Sequence, residues 1–331
     1  LLIGPFIHYM RLGNVWKRIG ILLPTALCAL AFYLFNFKLM ADKMFYPPKE
    51  KTLTPVPSSG ERGAMPDSVA NHLAIVVERN GDARAYPIEL IGYHHQVLDT
   101  IGGEPVMVTY CTVCRTGRAW KPLVNGQPET FRLVGMDHFN AMFEDSRTGS
   151  WWRQATGECV VGELKGQHLE EVPSQQMTIA EFASQHPKGL VFQPDPNFTE
   201  QYAGLEGFDD GTIGSSLEYR DSASWQPKSW VVGVVHKGLA RAYDWNDLVQ
   251  RSTLNDTLGG DPITLTSTGS SPGFHVSIDL RDTVWTTADS AGILVGRYQI
   301  AGNLRRIPAY QEFWHSWRTF HPNTTRYELK R

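Results

Sequence analysis

The chain is short of cysteine. Four in 331 residues are too few to build a disulfide scaffold. Only one C-x-x-C occurs, at Cys111 and Cys114, so a zinc centre closed by two such knuckles is excluded. No block of like charge stands out against a formal net charge of −3, which removes the footprint that DNA or RNA binding requires. No G-x-S-x-G, P-loop or dinucleotide fingerprint appears, so those hydrolase, NTPase and Rossmann signatures are missing. Charge is absent altogether from Ile19 to Phe37, IGILLPTALCALAFYLFNF. Nineteen residues at ~1.5 Å rise span ~28 Å, close to a bilayer's hydrocarbon thickness. Residues 19–37 are therefore expected to form a transmembrane helix, which Pro24 does not prevent. Leu1 to Met10 is also apolar, so residues 1–18 are compatible with the end of an earlier membrane helix followed by a basic turn. Basic residues flank both sides of the span, so charge alone does not orient it.

Beyond the span, residues 38–68 are rich in Pro, Ser, Gly and charge and read as an extended tether. The rest of the chain repeats itself. ARAYPIELIGYHHQVLDTIGGEPVMVT from Ala83 matches ARAYDWNDLVQRSTLNDTLGGDPITLT from Ala240 at a constant offset of 157. Each ARAY follows a strand and a two-residue turn, Asn80-Gly81 or Lys237-Gly238. A second match, Glu171–Pro187 with Arg306–Pro322, has offset 135, so the first copy holds 22 more residues between the anchors. These patterns predict an internally duplicated, strand-rich α+β fold. Repeat 1 spans 69–195, an irregular connection 196–227, and repeat 2 spans 228–331. A helix is predicted over Ile88–Leu98, and interior strands over Val106–Thr109 and Ile263–Thr266.

The two copies differ at the cysteines. Cys111 and Cys114 correspond to Thr268 and Ser271, and His94 to Arg251, so repeat 2 is degenerate at the site. A fold unit that closes without the pair does not need it as scaffold. The stretches YHHQVLDTIGGEPVMVTYCTVCRT (Tyr93–Thr116) and MFEDSRTGSWWRQATGECVVG (Met142–Gly162) resemble the bacterial domain-of-unknown-function 3179 family, whose signature reads YCPLCGT. Here Thr112 stands for that family's Pro, Arg115 for its Gly, and Cys159 for a small apolar residue. His94, Cys111 and Cys114 fall on its His and its two Cys. The resemblance implies a bacterial cytoplasmic-membrane protein with its large domain on the extracytoplasmic, periplasmic side. It brings no activity.

The chemistry must therefore come from the residues. No helix is expected after Cys114, which disfavours a thioredoxin-type dithiol, whose thiolate is stabilised by a helix N-terminus. A metal knuckle, a redox-active disulfide, a static disulfide and inert thiols all remain open. Soft thiolates with imidazole suit copper or zinc, with Cys111, Cys114 and His94 as ligands and His95, His138 or Cys159 as reserves. Arg115 and Arg118 are cations that would favour thiolate. Glu144, Asp145 and Glu158 are a weaker acid–base alternative. Whether the protein is an enzyme stays open. The expectation is a membrane-anchored extracytoplasmic protein whose C-x-x-C binds copper or zinc or exchanges electrons. The alternative is a non-catalytic accessory or structural subunit of a larger membrane complex.

Overall fold

The computed structural model describes residues 4, 7, 8, 11, 14–56, 67–267, 273–280, 283–285, 297–299 and 303–329. It is a strand-rich α+β structure behind an N-terminal apolar helix. That helix, α1 (Val15–Phe37), runs through Pro24. Thr25 and Asn36 bond their side chains to the carbonyls of Ile21 and Phe32, so its few polar groups are satisfied within the helix. Among the described residues it is the one helix long and apolar enough to cross a membrane, and its Arg18–Phe37 window has nothing buried.

Residues 38–56 are not the extended tether that their composition suggested. A short helix α2 (Ala41–Met44) follows α1. The Lys49 and Glu50 amides then donate to the Asp195 carboxylate at 2.7 and 2.9 Å. Strand β1 (Leu53–Pro55) pairs antiparallel with Leu190–Phe192. A free sheet edge and an acceptor carboxylate take up the backbone donors that composition alone leaves to water. Residues 57–66 lie outside the described residues.

The first unit opens with the hairpin β2 (Leu73–Arg79) and β3 (Asp82–Pro87). Its turn places Asn80 and Gly81 at φ 50° and 80°, as an Asn-Gly hairpin turn requires. Helix α3 (Ile88–His94) ends earlier than predicted, because His95 turns left-handed at φ 62°. The predicted helical tail is instead strand β4 (Gln96–Ile101), paired with β5 (Glu104–Cys111), and β5 pairs with β6 (Thr116–Trp120). Gly102, at φ 54°, is obligatory here, since a Cβ would meet the Arg79 carbonyl oxygen at 2.2 Å. An antiparallel sheet of β7 (Phe131–Asp137), β8 (Asn140–Asp145), β9 (Trp151–Arg153) and β10 (Cys159–Val161) follows. Strand β11 (Ser174–Thr178), helix α4 (Ile179–Gln185) and β12 (Leu190–Phe192) complete the unit.

The same order recurs. β13 (Trp230–His236), β14 (Leu239–Asp244), helix α5 (Trp245–Arg251), β15 (Thr253–Leu258), β16 (Asp261–Ser267) and β17 (Phe274–Leu280) come first. β18 (Asn303–Arg306), β19 (Ala309–Phe313), helix α6 (Trp314–Phe320) and β20 (Thr325–Arg326) follow. Strand orders β11-β2-β3-β12 and β19-β13-β14-β20 are equivalent, each closing on a parallel pair. Buried polar contacts repeat too. Arg84 and Tyr86 bond Asp99 at 2.8 and 2.6 Å, and Arg241 and Tyr243 bond Asp256 at 2.5 and 2.8 Å.

The units nevertheless do not form two separate halves. Among the described residues five sheets of three to five strands carry the fold, in a propeller-like arrangement. Their side chains interlock. Arg118 of β6 meets Glu312 of β19 at 2.5 Å with both side chains buried, and Gln176 of β11 bonds Gln311 of β19 at 3.0 Å. The sequence repeat identifies equivalent pieces. It carries no information about which faces of those pieces meet.

Leaving one partner of a buried ion pair uncompensated is costly, so Glu312→Ala should reduce stability by about 3–5 kcal/mol in denaturant unfolding. Replacing both partners, Arg118→Met with Glu312→Leu, should recover most of that loss. A single-variant cost below about 1 kcal/mol would show that the pair does not bind the units together.

Candidate functional site

Strand β5 delivers Cys111 to the end of a hairpin, and residues 112–115 form the turn before β6. The turn closes with the Arg115 amide donating to the Thr112 carbonyl at 3.1 Å. Arg115 sits at φ 53°, a left-handed conformation that a glycine adopts without strain. No helix begins at the pair itself, as one does in a thioredoxin-type site.

Both cysteines are free and buried. Hydrogen bonding with the Cys114 side chain is the largest influence that lowers the Cys111 pKa, and backbone hydrogen bonding from Cys114, Ala141 and Val113 adds to it. These bonds hold the Cys111 thiol below its ordinary pKa in spite of burial. Cys114 is pushed well up, first by its bond to Cys111 and then by burial. Of the two, Cys111 is therefore the stronger acid and Cys114 the poorer one. When protonated, Cys111 has an acceptor in the Phe139 carbonyl at 3.4 Å.

The second unit holds the turn in place. Phe313 donates its amide to the Cys114 carbonyl at 3.0 Å, and the Lys228 ammonium donates to the Val113 carbonyl at 3.1 Å and also to that of Leu217. The Ser316 hydroxyl lies 3.2 Å from that of Thr116. The buried Arg115 guanidinium donates to Gln311 and to the carbonyls of Phe208 and Asp209, and lies 3.7 Å from the centre of the Trp230 ring. Sequence reasoning missed this shell. Its one signal is the polar Gln311-Glu312 between the aromatic residues Tyr310 and Phe313-Trp314.

His94 does not join the sulfurs. Burial holds it neutral; its Nδ1 donates to the Tyr46 carbonyl at 2.5 Å and its Nε2 accepts from the Tyr202 hydroxyl at 2.7 Å. It docks the segment after α2, and among the described residues no set of three metal-capable groups unites it with the cysteines. The adjacent His95 lies beside Cys111 in the wall of a cavity. The left-handed residue at the end of α3 sends consecutive imidazoles to different places. Burial lowers the His95 pKa to about 4.

The reserve ligands are elsewhere. Cys159 sits in β10 with its thiol toward the Val161 carbonyl, and the exposed His138 pairs with Asp137. Glu144 and Glu158 are tied to Arg132 and Arg153, and Asp145 accepts from Trp152 and Thr148, so the carboxylates are structural. Thr268 and Ser271, the counterparts of the cysteines, lie outside the described residues. Arg251 ends α5 on the surface.

A cavity of about 620 Å³ with mostly apolar walls reaches Cys111 but not Cys114. Phe35 and Leu39, from the end of α1 and just beyond it, line it together with Leu133, Leu205 and Leu217. Thr112 and Glu218, which hydrogen-bond at 3.2 Å, are polar groups on its wall. The arrangement brings Cys111, the more acidic thiol, to an apolar chamber and leaves Cys114 off its lining.

A family model described as "Protein of unknown function (DUF3179)" matches residues 66–324. No curated protein and no solved structure matches the chain.

Because Cys111 is held below its ordinary value, its alkylation by iodoacetamide should rise at lower pH than for an unperturbed thiol. Cys114→Ala removes the largest cause and should move that midpoint upward, as peptide mapping across pH would show. A wild-type midpoint at or above the ordinary thiol value would refute the assigned acidity.

Proposed function

The chain belongs to the DUF3179 family, a membership that supplies no reaction, so from the site itself we propose a membrane-anchored extracytoplasmic protein whose Cys111–Cys114 pair exchanges electrons with disulfides. The observation that carries this reading is the division of labour between the sulfurs. Of the two, Cys111 alone lines the cavity and is held below the ordinary thiol pKa, while Cys114 is off the lining and is held above it. α1 supplies the anchor, and an oxidising compartment beyond the membrane is where such a pair finds disulfide partners. The recurrence of strand order and buried contacts supports an internal duplication in which one copy kept the thiols.

The reaction balances with a disulfide, R–S–S–R′, as oxidant. The Cys111 thiolate attacks one sulfur, forming a Cys111–S–S–R mixed disulfide and releasing R′S⁻. Cys114 gives its proton to that leaving thiolate and attacks the Cys111 sulfur. The Cys111–Cys114 disulfide forms and RS⁻ leaves, taking a proton from water. The pair loses two electrons and R–S–S–R′ gains them. The apolar chamber favours an R group of low polarity.

A second reading keeps the pair as a metal site. The amides of Val113 and Cys114 aimed at one sulfur are the donors a thiolate ligand uses in a knuckle. With His94 engaged elsewhere, two thiolates remain, a donor set too small for a closed zinc site and suited to copper(I).

The full chain in detergent, with Cys28→Ser to remove the exposed thiol, tests the first reading against an aromatic disulfide such as dithionitrobenzoate. Two thionitrobenzoate anions should be released per chain in the fast phase, with loss of two hydrogens by intact mass. Cys114→Ser should stop after one anion and retain a mixed disulfide on Cys111, and Cys111→Ser should abolish the fast phase. A pair that releases nothing but binds one copper(I) per chain, protecting both thiols from alkylation, would replace the redox reading with the metal one.

A further inference from the structure

A second cluster of chemically capable side chains lies apart from the cysteines. His72 comes just before β2, Glu89 lies in the first turn of α3, and Asp209 comes from the connection between the two units. Their ligand atoms all fall within 4.8 Å of one another. His72 Nδ1 stands 3.1 Å from a Glu89 oxygen and 3.4 Å from Asp209 Oδ2. Asp209 Oδ2 also accepts the Leu73 amide at 2.8 Å. The other oxygen, Asp209 Oδ1, is buried with no hydrogen-bond partner among the described residues, on a residue only 7% exposed. A buried carboxylate oxygen left bare is costly, and a salt bridge made through its twin does not relieve it.

We propose that His72, Glu89 and Asp209 form a binding site for a divalent first-row cation of the zinc or manganese kind. One imidazole nitrogen and two carboxylates are an N/O donor set without sulfur, which suits these ions and not copper(I). The three donors come from segments far apart in sequence, so no short spacing motif announces them. His72 and Glu89 are part-exposed, which leaves positions open to water or an external ligand. The second unit serves as an internal comparison. At offset 157 the counterparts of His72 and Glu89 are Ser229 and Asn246, so the donor set belongs to the thiol-bearing unit alone.

The position gives the site a task. Asp209 offers its carbonyl to Arg115 at 2.9 Å, and Phe208 does the same at 2.8 Å. Glu89 stands on the helix that carries Tyr93, which lines the cavity, and runs into His95. A cation joining these segments would fix the connection, the helix and the cysteine turn relative to one another. It binds beside the thiols and takes no part in exchange at them.

The test uses the full chain in detergent with all four cysteines replaced, Cys28→Ser, Cys111→Ser, Cys114→Ser and Cys159→Ala, so that sulfur cannot compete for metal. Cobalt(II) titration should saturate at one ion per chain, with visible ligand-field bands and no sulfur-to-cobalt charge transfer. Zinc(II) should displace the cobalt. His72→Ala and Asp209→Asn should each weaken binding at least tenfold, whereas Asp210→Asn, at the exposed neighbour, should leave it unchanged. Should Asp209→Asn fail to fold, Glu89→Gln provides the second lesion, and the same loss is expected there. Absence of saturable binding, or binding that survives both His72→Ala and the second lesion, overturns the proposal and leaves His72 as an imidazolium held by two carboxylates. Because the thiols are removed throughout, failure here leaves the redox reading of Cys111–Cys114 standing, and success does not support it.

Discussion

Two buried guanidinium groups, Arg115 and Arg118, hold the cysteine turn against the second unit. Removing a cation from water costs several kcal/mol unless every donor is met. Arg118 is offset by the Glu312 carboxylate, with the Tyr310 ring 3.4 Å from its guanidinium. Arg115 has no hydrogen-bonded carboxylate and depends on three oxygen acceptors and on the faces of Trp230 and Phe208. Such groups tolerate few alternative positions, because a small displacement strands donors in an apolar interior. The cysteine turn inherits that rigidity. Its backbone is fixed at Val113 and Cys114 from β19, from α6 through His315 and from Lys228. That fixed backbone surrounds Cys111 with the neighbouring amides that lower its pKa.

Much of this was legible in the sequence, and what failed did so for identifiable reasons. The offset of 157 located equivalent hairpins, helices and Gly-Gly turns, because turn chemistry and alternation are local properties. The separation of the cysteines from a following helix was likewise readable from Arg115 to Lys121. His94 was misassigned because helix pattern places a residue on an element but does not fix where that element ends. One left-handed residue, His95, ended α3 and moved Gln96 into a strand. The docking of residues 46–56 was hidden because prolines and lysines signal solvent exposure in isolation, and only a distant carboxylate, Asp195, makes that segment part of the domain. The roles of Gln311, Glu312 and Ser316 at the cysteine turn depend on how the units meet, and no period or propensity encodes that.

The asymmetry between the cysteines also explains how a buried pair can remain chemically available. Cys111 and Cys114 belong to an apolar cluster with Met107, Trp120, Phe143 and Trp152. In such surroundings an isolated thiol is inert, since burial raises its pKa. Amide donors and a neighbouring thiol reverse the balance for one sulfur only. The cost falls on Cys114, which becomes a poorer acid.

The clamp between Asp195 and the amides of Lys49 and Glu50 has a mechanical consequence. Twelve Cα–Cα steps, with eleven residues between, separate Phe37, the last of α1, from Lys49. Even fully extended they span no more than ~43 Å at ~3.6 Å per residue, and α2 shortens that further. With α1 in a bilayer, the domain is therefore on a short leash and works at nearly one height above the lipid. Under the proposed disulfide exchange, reach as much as recognition would then select what meets Cys111, favouring species that stay close to the membrane surface over those that diffuse freely through the compartment.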